Sequence, residues 1–144
     1  MAAADELSLS VFTDGASRGN PGPAACAYIL LDTRAMVIEE EAIPLGQKTN
    51  NEAEYQALIA GLTAAARHGS TQVAVFSDSE LVMRQMTGRY RVSSTRLQPL
   101  YREATLLASR FRRVTYTSVP REHPMIVRAD HLCNETLDEN RGGR

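Results

Sequence analysis

The chain has 144 residues, 43% hydrophobic and 23% charged, with a formal net charge of −1, which suits one domain that buries its own core without covalent staples. Two distant cysteines, Cys26 and Cys133, without a C-x-x-C spacing, argue against a disulfide framework or zinc site and read as free thiols of a reducing compartment. The opening MAAADELS is not a signal peptide, and no apolar run nears the roughly 20 residues that cross a bilayer, so a cytoplasmic protein is expected.

Residues 1–7 are expected to be disordered and the domain to span 8–139. Ser8–Asp14 (SLSVFTD) alternates with period two and predicts a strand with Leu9, Val11 and Thr13 on one face. Gly15–Pro23 (GASRGNPGP) is dense in turn formers. Ala24–Leu31 predicts a second strand and Ala35–Ile43 a third, joined by a hairpin at Asp32-Thr33-Arg34 and closed by Pro44 and Gly46. A helix follows, capped by Thr49 or Asn50. Thr49 with Glu52 fits a capping box, Ala53, Ala57, Leu58, Leu62 and Ala65 supply an apolar stripe, and Gly69 ends it. Val73–Ser77 reads as a buried strand, Ser79–Thr87 as a short helix stopped by Gly88, and Arg96–Arg110 as another helix. Val114–Val119 is a fifth strand and Arg128–Glu139 a last helix, with 140–144 a disordered tail. The order β-β-β-α-β-α-α-β-α predicts an α/β domain: a five-stranded mixed sheet, three strands antiparallel and then parallel β-α-β units, flanked by helices.

The small net charge hides an asymmetry. Met1–Ala66 carries 3 basic and 9 acidic residues, whereas Arg67–Arg144 carries 13 basic and 8 acidic. Between Arg84 and Arg113 stand Arg84, Arg89, Arg91, Arg96, Arg102, Arg110, Arg112 and Arg113, against the single acid Glu103. Such a stretch can neutralise phosphates and make binding salt-dependent. It also fits a solvated face in a chain whose one lysine is Lys48.

Four carboxylates occupy informative places. Asp14 ends the first strand, Asp78 the fourth, Glu54 lies in the first turns of the first long helix, and Asp130 begins the last helix. Strand carboxyl ends and the helix starts beside them are where sites form in open α/β sheets. Singly, each acid has a plain reading: Asp78 as a helix cap, Glu54 and Asp130 as complements of a helix dipole. Gathered together they would repel, and a hard divalent cation such as Mg²⁺ or Mn²⁺ resolves that.

The segments FTDGASRGNPGPAACAYIL, TNNEAEYQALIAGL, VFSDSELVMRQMTG and VPREHPMIVRADHLCNETLD resemble, in order, the four signature blocks of type 1 ribonuclease H, from about Ser8 to Asp138. The chain looks most like the compact bacterial and archaeal branch, which lacks a basic protrusion. The resemblance implies cleavage of the RNA strand of RNA–DNA hybrids with two Mg²⁺ ions, or Mn²⁺ in their place, leaving 5′-phosphate and 3′-hydroxyl ends. Asp14 would bridge both ions. Asp130 would serve the ion that activates water, and Glu54 with Asp78 the ion at the leaving oxygen. Backbone groups of Gly15–Asn20, including Gly15, Ser17, Arg18 and Asn20, are candidates to read RNA 2′-hydroxyls. Asn50 and Asn51 are candidates to touch the strands near the cut, and Thr49 to seat a phosphate, with capping the alternative for Thr49 and Asn50. The arginines of Arg84–Arg113, with Arg84, Arg89 and Arg91 as nucleic-acid contacts, are candidates to stand in for the missing protrusion.

Two departures from the family pattern stand out. HPMIVRA, before Asp130, reads as a lengthened linker, in which His123 either aids proton transfer from a mobile loop or is incidental. Glu80 stands where many relatives have glutamine. Within this reading the protein acts as a monomer. The alternatives are a broader nuclease that also cuts double-stranded RNA and a non-catalytic nucleic-acid-binding module of the same fold.

Overall fold

The computed structural model describes residues 7–142. Five strands, β1 (Ser8–Ser17), β2 (Gly22–Leu31), β3 (Val37–Lys48), β4 (Gln72–Ser77) and β5 (Arg113–Ser118), form one sheet in the order β3-β2-β1-β4-β5. β1 to β3 pair antiparallel, while β4 pairs parallel to both β1 and β5, which is the expected mixed sheet. The helices are α1 (Asn50–Arg67), α2 (Glu80–Met86), α3 (Gln98–Ala108) and α4 (Pro124–Gly142). Among the described residues no helix is long and apolar enough to cross a membrane.

β2 is apolar throughout because both its faces are covered. Tyr28 and Leu30 join Leu9, Val11, Leu58, Leu62, Val73 and Val75 in the core beneath α1 and α3. Ala25, Ala27, Ile29 and Leu31 face the other way, onto Ile126, Ala129, Cys133 and Leu137 of α4. Both cysteines are buried and free, as expected. Thr49 caps α1 in a complete capping box, and Gly69, at φ +76°, follows the helix end in the left-handed conformation.

Several boundaries differ from expectation, each for a tertiary reason. β1 continues through Ser17 and β2 starts at Gly22, because Gly15, Ala16 and Ser17 find partners in Cys26, Ala25 and Ala24. The glycine-rich segment is therefore mostly strand, and its turn is reduced to Arg18–Pro21. β3 begins only at Val37, since Ala35 (φ 61°) completes the turn in which the Asp32 carboxylate accepts the amides of Arg34 and Met36. β3 then runs past Pro44 and Gly46 instead of stopping. A register shift at Ala24/Ala25 admits both residues, and β3 lies at the sheet edge, where a missing N–H is tolerated. α4 starts at Pro124, four residues before the expected Arg128, and continues to Gly142. Leu7 is also fixed, its carbonyl accepting from the amides of Thr71 and Gln72. Of the segments expected to be disordered, Leu7 and 140–142 are among the described residues, the latter as the end of α4, while 1–6 and 143–144 lie outside them.

One close approach sets the relation of α1 to the sheet. A Cβ added to Gly15 would lie 2.3 Å from the carbonyl carbon of Ala53 and 2.4 Å from the amide nitrogen of Glu54. Backbone meets backbone there, so no side chain can yield. Gly15→Ala is expected to lower the unfolding free energy by about 2 kcal/mol or more, measured by urea denaturation. Wild-type stability in that variant would contradict the packing described.

Candidate active site

The parallel pairing of β1 with β4 builds the site. Phe12 pairs with Phe76, and their rings stack 4.8 Å apart. Two residues beyond that pair, at the same end of the sheet, stand Asp14 and Asp78. α1, held close by Gly15, adds Glu54, whose Oε1 accepts the Gly15 amide at 3.1 Å. Asp14, Glu54 and Asp78 each offer a carboxylate oxygen, and the three oxygens lie within 4.8 Å of one another. Asp130 lies in the second turn of α4 rather than at its start, because the helix begins earlier than expected. It is exposed, stands outside that group of three, and lines the same open cleft of about 410 Å³.

The electrostatics of this cleft are unfavourable without a counter-charge. Asp14 is only 5% exposed. Burial first, and then the carboxylates of Asp78 and Asp130, push its acid up to about 8. Burial likewise raises Glu54 well above the usual carboxylate range, with Asp14 and Asp78 adding to the shift. Asp78 is raised too, again mainly by burial, although the Arg121 guanidinium works the other way. Asp78 Oδ1 is buried and has no hydrogen-bond partner. A buried carboxylate oxygen left without a donor, among oxygen-only neighbours of like charge, fits a hard divalent cation.

The sequence-predicted contact residues divide into groups. Gly15, Ser17, Asn50 and Asn51 line the carboxylate cleft. Several of their polar groups already serve the fold: Ser17 N–H donates to Asn50 Oδ1 at 3.0 Å, and Asn50 N–H donates to Asn20 Oδ1 at 2.9 Å. The amides of Gly15, Ser17 and Arg18 are thus all taken up within the protein. Thr49 acts as the cap of α1. Arg18 turns towards α4 and pairs with Asp138 at 2.8 Å. Arg84 and Arg89 line a separate groove between α2 and β5, and Arg91 lines another with Tyr90, Tyr101 and Arg102.

His123 stands directly before the first residue of α4. Its Nδ1 accepts the Met125 amide at 3.1 Å and its carbonyl accepts from Ile126 and Val127, so it caps α4 ahead of Pro124. Its ring packs on Phe12 at 4.8 Å. The apparent linker HPMIVRA is therefore a cap followed by the first turns of the helix. The residue that the sequence reading missed is Arg121. It follows β5, its side chain is 88% exposed, and Nε stands 3.9 Å from Asp78 Oδ2. Its place in the VPRE segment was visible, but its position beside Asp78 depends on the pairing of β4 with β5.

A family model described as reverse transcriptase-like matches residues 12–136. The ribonuclease H of Pseudomonas putida is 30% identical over 151 residues, covering 95% of this chain and 98% of that protein. The chain belongs to the ribonuclease H family. The ribonuclease HI of Halobacterium salinarum is 41% identical, covering 91% of this chain and 65% of its own length. A bifunctional protein of Mycobacterium tuberculosis is 44% identical over 92% of the chain, which spans only 36% of that relative's length. The solved N-terminal ribonuclease H domain of that mycobacterial protein superposes with a TM-score of 0.90 at 41% identity, covering 96% of this chain and 99% of that one. A ribonuclease H1 solved in complex with an RNA/DNA hybrid gives a TM-score of 0.86 at 34% identity, covering 92% and 98%. The sheet described above is thus that of a ribonuclease H fold.

The raised acids of this ribonuclease H domain make metal-free stability depend on pH. A carboxyl whose folded pKa lies above its unfolded value stabilises the fold below the unfolded value and loses that contribution as pH rises through the folded one. For Asp14 the window runs from 3.8 to about 8. In EDTA, Tm is expected to fall by about 4 °C or more between pH 5 and pH 8.5. Mn²⁺ should restore more of it at pH 8.5 than at pH 5. A Tm in EDTA that stays flat or rises over this range would contradict the acid cluster.

Proposed function

We propose that this chain is a metal-dependent endoribonuclease that hydrolyses the RNA strand of RNA–DNA hybrids, leaving 5′-phosphate and 3′-hydroxyl ends. The observation that carries the reading is the gathering of Asp14, Glu54 and Asp78 within 4.8 Å, with Asp130 in the same cleft. Family membership and the hybrid complex of a 34% identical ribonuclease H1 support it.

Asp14, Glu54, Asp78 and Asp130 would hold two Mg²⁺ or Mn²⁺ ions. Such ions supply Lewis acidity for in-line attack of water on phosphorus and for departure of the 3′-oxygen. The chain's own residues prepare the cleft. Burial of Asp14 keeps bulk water off its carboxylate, and the Gly15 amide fixes Oε1 of the half-buried Glu54. Arg121 is the cation at the cleft wall and is suited to a backbone phosphate. Asn20 and Asn50 spend their Oδ1 atoms in holding the β1–β2 turn, so their –NH₂ groups are what they offer to a nucleic acid. Asn51 is exposed at the cleft. Arg84, Arg89 and Arg91 would attract phosphates further along the duplex, in a salt-dependent way.

The test is cleavage of one labelled RNA strand, annealed to DNA or to RNA, with Mg²⁺, Mn²⁺ or EDTA. Metal-dependent cutting of the hybrid is expected, with kcat reduced about a thousandfold in Asp14→Asn, as loss of several kcal/mol of charge stabilisation requires. Equal cutting of double-stranded RNA would broaden the substrate class. Absence of cutting by folded protein with either metal would sink the enzyme reading. Arg121→Ala is expected to weaken hybrid binding and to lower the slope of log K against log salt by about one. An unchanged slope would remove Arg121 from the phosphate contacts.

A further inference from the structure

Arg18 opens the β1–β2 turn, where a basic residue invites assignment to a nucleic-acid phosphate. Its guanidinium is engaged inside the protein instead. Nη2 pairs with Asp138 Oδ1 at 2.8 Å and donates to Asn134 Oδ1 at 3.2 Å and to the Asn134 carbonyl at 3.4 Å. Asn134 Nδ2 donates in turn to the carbonyl of Asp130 at 3.0 Å. Asp130, Asn134 and Asp138, spaced four residues apart, form one stripe along α4. On its other side the same turn is clasped by α1, through the Ser17–Asn50 and Asn50–Asn20 hydrogen bonds. This short turn therefore links the helix that carries Glu54 to the helix that carries Asp130.

We propose that Arg18 is a positioning residue that locks α4, and with it Asp130, against the end of β1, and that it is not a phosphate contact. This rests on the hydrolytic reading above. Asp14 is fixed by its pairing with Ala27 across β1 and β2, Asp78 directly follows the last residue of β4, and Glu54 is held by the Gly15 amide. Asp130 meets Asp14 through its side chain, but it is exposed on a helix that packs on the sheet through Ile126, Ala129, Cys133 and Leu137. Apolar packing is non-directional, so it holds the helix down but sets its rotation and axial slide only weakly. Directional bonds must do that. Arg128 supplies one to Glu40 on β3 at 2.7 Å, the buried Cys133 thiol donates a weak one to the Asp14 carbonyl at 3.5 Å, and Arg18 supplies charged ones one and two turns beyond Asp130.

The tether makes predictions that differ from those of a phosphate contact. Steady-state cleavage of a hybrid would be measured in Mg²⁺ for wild type, Arg18→Ala, Arg18→Lys, Asp138→Asn, the Arg18→Ala/Asp138→Asn double variant and the Arg18→Asp/Asp138→Arg swap. Arg18→Ala is expected to lower kcat about fivefold, the order that a partly exposed ion pair can supply. KM should stay within about twofold and the salt slope of binding unchanged. Asp138→Asn should give a similar loss, the double variant no further loss, and Arg18→Lys and the swap a partial recovery. A raised KM with a salt slope reduced by about one, or wild-type kcat in Asp138→Asn, would overturn the proposal. Hydrogen exchange of residues 130–140 in the metal-free protein provides a reading independent of activity. Faster exchange in Arg18→Ala supports the tether, and unchanged exchange overturns it. Wild-type protein that cuts no hybrid would instead defeat the hydrolytic reading, and the exchange result would still decide the tether.

Discussion

Like charges at the ends of two parallel strands are the constraint around which this molecule is arranged. β1 and β4 run side by side, and the register that pairs Phe12 with Phe76 brings Asp14 and Asp78 to one opening, where Glu54 joins them. Burial raises the pKa values of all three, so the metal-free fold holds its acids against their own preference for the charged form. A cation in the cleft reverses that preference. The groups that destabilise the empty protein are those that make a strong hard-ion site, a common relation between stability and function.

What holds the acids in place is a series of close packings around the cleft. Gly15 lets α1 lie against β1 with backbone touching backbone, and its amide takes up one oxygen of Glu54. The stacked Phe12, Phe76 and His123 rings form an apolar floor just behind the carboxylates. His123 belongs to this floor and to the start of α4. Arg121 stands at the opposite extreme, largely exposed, a single cation facing several acids. The cleft thus has a partly buried acidic interior and an exposed cation at its lip, an arrangement suited to a charged polymer that binds along the surface and presents one phosphate inward.

The parts of the fold that read well in the sequence were those with local causes. Period-two alternation located β1, the capping box and Gly69 bounded α1, and the apolar run VAVFS located β4. The misread parts had distant causes. Ala16 and Ser17 extend β1 because Ala25 and Ala24 lie opposite, and nothing within GASRGNPGP indicates this. Pro44 and Gly46 resemble a strand end until a register shift on an edge strand admits them. Pro124 was passed over as the first residue of α4 because HPMIVRA has little polar–apolar pattern, whereas Ile126 is anchored by the far face of the sheet.

The sequence by itself determined the family, the order of the elements and the four acids, because short motifs at fixed spacing carry that information along the chain. It also set the chemistry, since oxygen ligands of like charge call for a hard cation wherever they are assembled. Only the tertiary structure decided that Asp130 meets Asp14 from an exposed place on α4, that Arg121 faces Asp78, that His123 caps a helix, and that Arg18 reaches α4. These are relations between residues brought together by strand pairing and helix docking. A side chain's role there follows from what it meets across the fold, which residue type and local spacing do not specify.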